Sequence, residues 1–164
     1  MGNWRDSVEH RAKQYCERFD RVIKQELGFG YDGIVFSTNC QSAIKVLKYE
    51  PLYQRERDVY LRLQERGVID VMGFAVPELR HWDDETWVIE MEIVSPPFVL
   101  DFAGAYLDRP PDFPEEVMEQ WRAEKREQFG AQWPIVQDVM REFRKMGIHL
   151  ADVKPGNIMF WEWG

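Results

Sequence analysis

Thiols and long apolar runs are what this sequence has least of. Cys16 and Cys40 are its two cysteines in 164 residues, and they lack metal-ligand spacing. Arg5, Asp6, Glu9, His10 and Arg11 interrupt every apolar run near the N-terminus, so no secretory leader is read there. No run approaches the roughly 18 apolar residues that a membrane span requires. An excess of positive charge is missing as well. The formal net charge of -8 argues against a generic nucleic-acid or anionic-membrane surface, while leaving room for a local basic pocket. These absences lead to the expectation of a reduced, cytoplasmic protein with no nucleic-acid and no membrane partner. The length suits one domain, or two small lobes, with a substantial core.

What is present begins with a period of three and four. Trp4, Val8, Ala12, Tyr15, Phe19 and Val22/Ile23 recur at that spacing after Asn3, which predicts a long amphipathic helix, residues 1–26 at its widest, lying across a sheet. From Leu27 the pattern changes to strand, glycine turn, strand, short turn, strand, ending in Ser42-Ala43-Ile44-Lys45-Val46-Leu47. Gly28, Gly30 and Gly33 let backbone N–H groups approach phosphate oxygens without Cβ obstruction, or else simply shape a glycine-rich hairpin. A dinucleotide-binding turn would open a helix at the third glycine. Here Ile34-Val35-Phe36 follows, β-branched and aromatic, which argues against that unit.

Strand alternation puts Lys45 on the opposite face from Ile44 and Val46. The helix predicted after Glu50-Pro51 carries Leu52, Glu56, Val59 and Leu63 on one stripe, so Glu56 faces apolar surroundings. An unpaired carboxylate there would cost several kcal/mol. Lys45 is the cation with a matching setting; Arg55 and Arg57 are alternatives that helical geometry turns away. Without such a pairing Lys45 is an exposed strand lysine.

Farther on, Trp87, Ile89, Met91 and Ile93 alternate with Val88, Glu90, Glu92 and Val94 in a strand with one apolar and one mixed face, broken by Ser95-Pro96-Pro97. Phe98 to Leu107 reads as short helix or coil. Pro114 starts a helix running to about Phe129, where Glu119, Arg122, Glu124, Lys125, Arg126 and Glu127 form a solvated face. Trp133, Val136, Val139, Phe143 and Met146 mark a second helix, stopped by Gly147. It leads to Asp152-Val153-Lys154-Pro155-Gly156-Asn157, which brings a carboxylate, an ammonium and a carboxamide into one tight turn. Such a set suits metal-assisted phosphoryl transfer. It is also what a surface turn with an Asp152 cap and a Pro155-Gly156 bend would contain.

Taken in order, Gly28-x-Gly30-x-x-Gly33-x-Val35, Ala43-Ile44-Lys45, the helix with Glu56 and the loop from Asp152 to Asn157 resemble the protein-kinase superfamily, over about Leu27 to Phe160. The resemblance implies an α+β, protein-kinase-like fold: an antiparallel-sheet lobe with a helix, about residues 27–94, and a reduced helical lobe, about 95–164. It implies ATP and Mg²⁺ as cofactors. Gly28, Gly30, Gly33, Val35, Ala43, Lys45, Met91, Glu92 and Val94 would hold the nucleotide, and Glu56 would hold Lys45. Asp152 would orient or deprotonate the acceptor hydroxyl, Lys154 would neutralise transferred-phosphate charge, and Asn157 would bind one Mg²⁺. The implied activity is transfer of the γ-phosphate to a protein Ser/Thr, as in a serine/threonine kinase, or to a small-molecule hydroxyl. The alternative is a pseudokinase-like module that binds nucleotide or a partner without efficient transfer.

The chain departs from the pattern at three points. His149 lies three residues before Asp152 instead of two, and reads as structural. No arginine precedes the aspartate. No Asp-Phe-Gly follows Asn157 before Gly164; Glu162 is a poor substitute, because the family's carboxylate comes after another strand and turn, and an abbreviated helical lobe would present Trp161 and Trp163 to a protein partner.

Overall fold

The computed structural model describes residues 2–160, so Trp161, Glu162 and Trp163 lie outside the described residues. In chain order the elements are α1 (Trp4–Phe19), β1 (Ile23–Phe29), β2 (Gly33–Thr38), β3 (Ser42–Leu47), α2 (Glu50–Glu65), β4 (Asp70–Val71), β5 (Phe74–Ala75), β6 (Leu79–Asp83) and β7 (Val88–Glu92). After these come β8 (Phe98–Val99), β9 (Tyr106–Leu107), α3 (Glu115–Phe129), a 3₁₀ turn, α4 (Trp133–Lys145), β10 (Ile148–His149) and β11 (Ile158–Met159). The class is α+β. The chain divides into two compact units, Met1–Gly67 with Pro77–Ile93, and Val68–Val76 with Val94–Gly164.

The first unit is an antiparallel sheet in the order β1-β2-β3-β7-β6, with α1 and α2 packed against β3. Val8, Ala12, Tyr15 and Cys16 of α1 pack with Ile34, Phe36, Ile44, Val46 and Val88. Every residue of β3 is consequently buried. The predicted helix is there but ends at Phe19, before the pattern's Val22/Ile23: Asp20 adopts a left-handed conformation, φ 58°, and its N–H bonds back to the Cys16 carbonyl. Ile23 instead opens β1, ahead of the expected strand start at Leu27.

The mixed face predicted for the strand after Trp87 is not solvated. Glu90 on β7 is buried beneath α1, where its carboxylate accepts from Tyr15 Oη at 2.5 Å, Ser42 Oγ at 2.6 Å and Arg21 Nε at 3.0 Å. A buried carboxylate is tolerated when its lone pairs are matched in this way. Burial raises the Glu90 pKa, but the bonds from Ser42, Tyr15 and Arg21 outweigh it and hold the group below its ordinary value. Trp87, expected inside that strand, sits in the preceding turn with φ 57°.

The second unit places α4 over a small core of Phe102, Phe129, Val136, Val139, Phe143 and Ile148. Its strands are two residues long, forming the sheets β11-β8-β5-β4 and β10-β9. The stretch Phe98 to Leu107, read as short helix or coil, supplies β8, a turn and β9. The predicted helix boundaries hold here: Pro114 precedes α3, Gly130 follows it, and Gly147, with φ 76°, lies beyond α4. Among the described residues no helix is long and apolar enough to cross a membrane.

Candidate functional site

Alternation along β3 decides the candidate group of the first unit. Ile44 and Val46 enter the core under α1, so Lys45 points to the other face, where α2 packs. Glu56, fully buried on α2, meets it: Lys45 Nζ donates to Glu56 Oε1 at 2.5 Å, and both side chains are nearly dry. Arg57 turns to Asp58 and Asp84 instead, as the helical spacing requires.

Sheet register brings further predicted residues to the face that carries Lys45. Val35 pairs with Lys45 across β2 and β3, and Gly28 pairs with Val35. Ala43, two residues before Lys45, pairs with Met91 on β7. Val35, Ala43, Lys45 and Met91 thus project from one face of the sheet. Met91 is packed against α2 by a bond from Tyr60 Oη at 3.2 Å. Glu92 ends β7, its carboxylate accepting from the Glu78 N–H at 3.2 Å. Val94 belongs to the second unit.

The glycines differ in what requires them. A Cβ on Gly33 would lie 2.1 Å from the Val46 carbonyl oxygen, so this position demands glycine for β2 to approach β3. Gly28 and Gly30 have open space where a Cβ would go. Their open face leaves the hairpin backbone approachable.

The second unit carries its own candidate group on the loop between β10 and β11. Val153 is buried and anchors it, while Asn157 stitches it: the side-chain amide donates to the Asp152 carbonyl at 2.9 Å, and its backbone N–H to the Lys154 carbonyl at 2.9 Å. The Leu100 N–H bonds the Asn157 carbonyl at 2.7 Å. Lys154 is half-exposed, its ammonium 3.8 Å from the Asp152 carboxylate. His149 pairs with Tyr106 in the β9–β10 ladder, the structural place expected of it.

Two neighbours of Asp152 were invisible in the sequence. Asp101, held with φ 64° in the turn after β8, brings a carboxylate oxygen within 4.8 Å of one on Asp152. Burial raises the Asp152 pKa; the charge of Asp101 and a hydrogen bond with it act in the same direction, and Lys154 and Asn157 oppose them. Lys125, read as part of a solvated face, is half-buried on α3 and within electrostatic reach of Asp152 and Lys154. Its ammonium bonds Gln128 Oε1 at 3.1 Å and lies 5.7 Å from the Trp121 ring centre. Burial lowers its pKa, against the pull of Asp152. Neither position follows a spacing rule that one sequence reveals.

No family model and no curated protein matches the chain. Among solved structures it is similar to the streptomycin–ATP–APH(2″)-IIa ternary complex, an aminoglycoside phosphotransferase of kinase-like fold, at 14% identity and a TM-score of 0.42. That similarity covers 52% of this chain and 28% of the other.

Proposed function

We propose that the protein is a kinase-like phosphotransferase that moves the γ-phosphate of ATP to a hydroxyl, on a protein Ser/Thr or a small molecule. The observation that carries this reading is the buried Lys45–Glu56 pair on the sheet face shared by Val35, Ala43 and Met91. A dry ion pair is a weak device for stability alone, since apolar residues of similar volume would do as well or better. Its use is to present an ammonium at a fixed place to nucleotide phosphates. The first unit then holds the nucleotide, with Gly28, Gly30 and Gly33 over the phosphates and Met91 and Glu92 toward the base.

In this reading the loop of the second unit acts on the acceptor. Asp152 orients the hydroxyl and takes its proton, and Lys154 neutralises charge on the transferred group. The donor set fits Mg²⁺, because the Asn157 amide oxygen and the Asp101 and Asp152 carboxylates are the hard oxygens that ion prefers. Bound there, the ion would offset phosphate charge. Asp101 would add a second carboxylate beside that of Asp152.

Mg-ATP is expected to raise the melting temperature of the native protein, and Lys45→Ala to abolish the rise; no rise in the native protein would sink the reading. Labelled-ATP turnover then separates transfer from binding alone. Asp152→Asn should lower transfer by roughly 10²–10⁴-fold, and transfer that survives it removes Asp152 from the mechanism.

A further inference from the structure

The glycine hairpin carries Phe29 and Tyr31, which are 70% and 80% exposed, yet each has a cation against its ring from outside the hairpin turn. The Arg5 guanidinium lies 5.5 Å from the Phe29 ring centre, and Arg5 also bonds Glu26 on β1 and, at 3.1 Å, Glu9 on α1. The Lys48 ammonium lies among three rings, 4.9 Å from Trp4, 5.5 Å from Tyr31 and 5.3 Å from Tyr49. Trp4 and Arg5 are the first two residues of α1. The backbone is tied at the same place, the Lys48 N–H donating to the Asp32 carbonyl at 2.7 Å and the Gly30 N–H to the Gly33 carbonyl at 3.0 Å.

Lys48 follows Ile44 and Val46 in parity and, like them, meets α1, whereas Lys45 meets α2. The three-ring cluster therefore sits across the sheet from Lys45. From there it can affect a nucleotide on the Lys45 face only through the hairpin and not by touching it. Cation–π interactions are attractive even in water, and here two reach one short hairpin, Arg5 on Phe29 and Lys48 on Tyr31.

We propose that Trp4, Arg5 and Lys48 form a clamp through which the first turn of α1 fixes the conformation of the glycine hairpin. They are positioning residues, and their effect is on nucleotide affinity: a hairpin already held in its binding shape loses less conformational freedom when phosphate arrives. The affinity part rests on the hairpin's being the phosphate cover of the proposed phosphotransferase. The clamp itself is independent of that reading.

The test compares native protein, Lys48→Met and Lys48→Arg, reading amide hydrogen exchange over residues 28–33 and the dissociation constant of Mg-ATP by calorimetry. Lys48→Met keeps the apolar stem and removes the charge. It is expected to speed hairpin exchange by about two- to fivefold, the worth of the one cation–ring contact that Lys48 makes with the hairpin, and to weaken Mg-ATP binding by a similar factor, with Lys48→Arg restoring both. Tyr31→Leu should speed exchange in the native background and add little in Lys48→Met, since both substitutions break the same cation–ring pair. Unchanged exchange in Lys48→Met overturns the clamp; faster exchange with unchanged Mg-ATP affinity overturns its positioning role. If native protein binds no Mg-ATP, the phosphotransferase reading and the affinity role fall together, and exchange still decides the clamp.

Discussion

The two charged centres are built in opposite ways. Lys45 and Glu56 are sealed between a sheet and a helix, each charge matched by the other, while Asp152 sits on a partly exposed loop beside a second carboxylate that repels it. The first arrangement fixes a charge in place. The second gathers Asp101 and Asp152 with Lys154 and Lys125 in a looser, partly exposed group, the setting that the proposed role of Asp152 in meeting a proton and an acceptor would need. Their supports differ correspondingly. The Lys45 strand is flanked by helices on both faces, whereas the Asp152 loop hangs between strands of two residues and depends on Asn157 for its shape.

The largest expected effect comes from breaking the sealed pair. Glu56→Ala removes the carboxylate that the buried Lys45 ammonium donates to and should destabilise by about 3–5 kcal/mol in chemical denaturation. Lys45→Met with Glu56→Leu should regain most of that stability and still show no Mg-ATP-induced rise in melting temperature. A double variant as unstable as Glu56→Ala would make the pair a structural element and dissolve the contrast. Next comes the hairpin. Gly33→Ala forces its Cβ against the Val46 carbonyl and should cost about 1–3 kcal/mol, while Gly30→Ala, with open space, should leave the melting temperature almost unchanged. Equal losses at the two positions would show that flexibility, not the close strand approach, is what the glycines provide.

The smallest effect sharpens the role of burial. Glu90 has a lowered pKa in the folded protein, so its bonds to Ser42, Tyr15 and Arg21 contribute fully above the ordinary glutamate value and are lost as pH falls through the folded one. Glu90→Gln should flatten the acid limb of the stability profile below about pH 4.5, the ordinary value for glutamate. An unchanged acid limb would place the acid-sensitive group elsewhere.

Legibility followed the range of the interaction. Glu56 could be paired with Lys45 because each position's face is set by its own element's period, and β3 and α2 are joined by a short connection that leaves them adjacent. The ends of α3 and α4 were readable because Pro114, Gly130 and Gly147 constrain the backbone locally. Glu90 defeats the alternation rule because alternation reports polarity, and a carboxylate matched by Tyr15, Ser42 and Arg21 satisfies a core as well as water does. The end of α1 falls earlier than its period suggests because Val22 and Ile23 continue that period by coincidence. In the fold, Asp20 has already turned the chain and Ile23 belongs to β1.

By itself, then, the sequence determined which face of β3 carries Lys45, which stripe of α2 carries Glu56, and that Asp152, Lys154 and Asn157 share one tight turn. Steric periods and turn chemistry act over a few residues and need no partner. Tertiary structure alone decided that Asp101 and Lys125 stand by Asp152, that Glu90 is satisfied beneath α1, and that Lys48 gathers Trp4, Tyr31 and Tyr49 around it. Those meetings join residues from separate elements, and packing of whole elements, with the burial it imposes, is what brings them together.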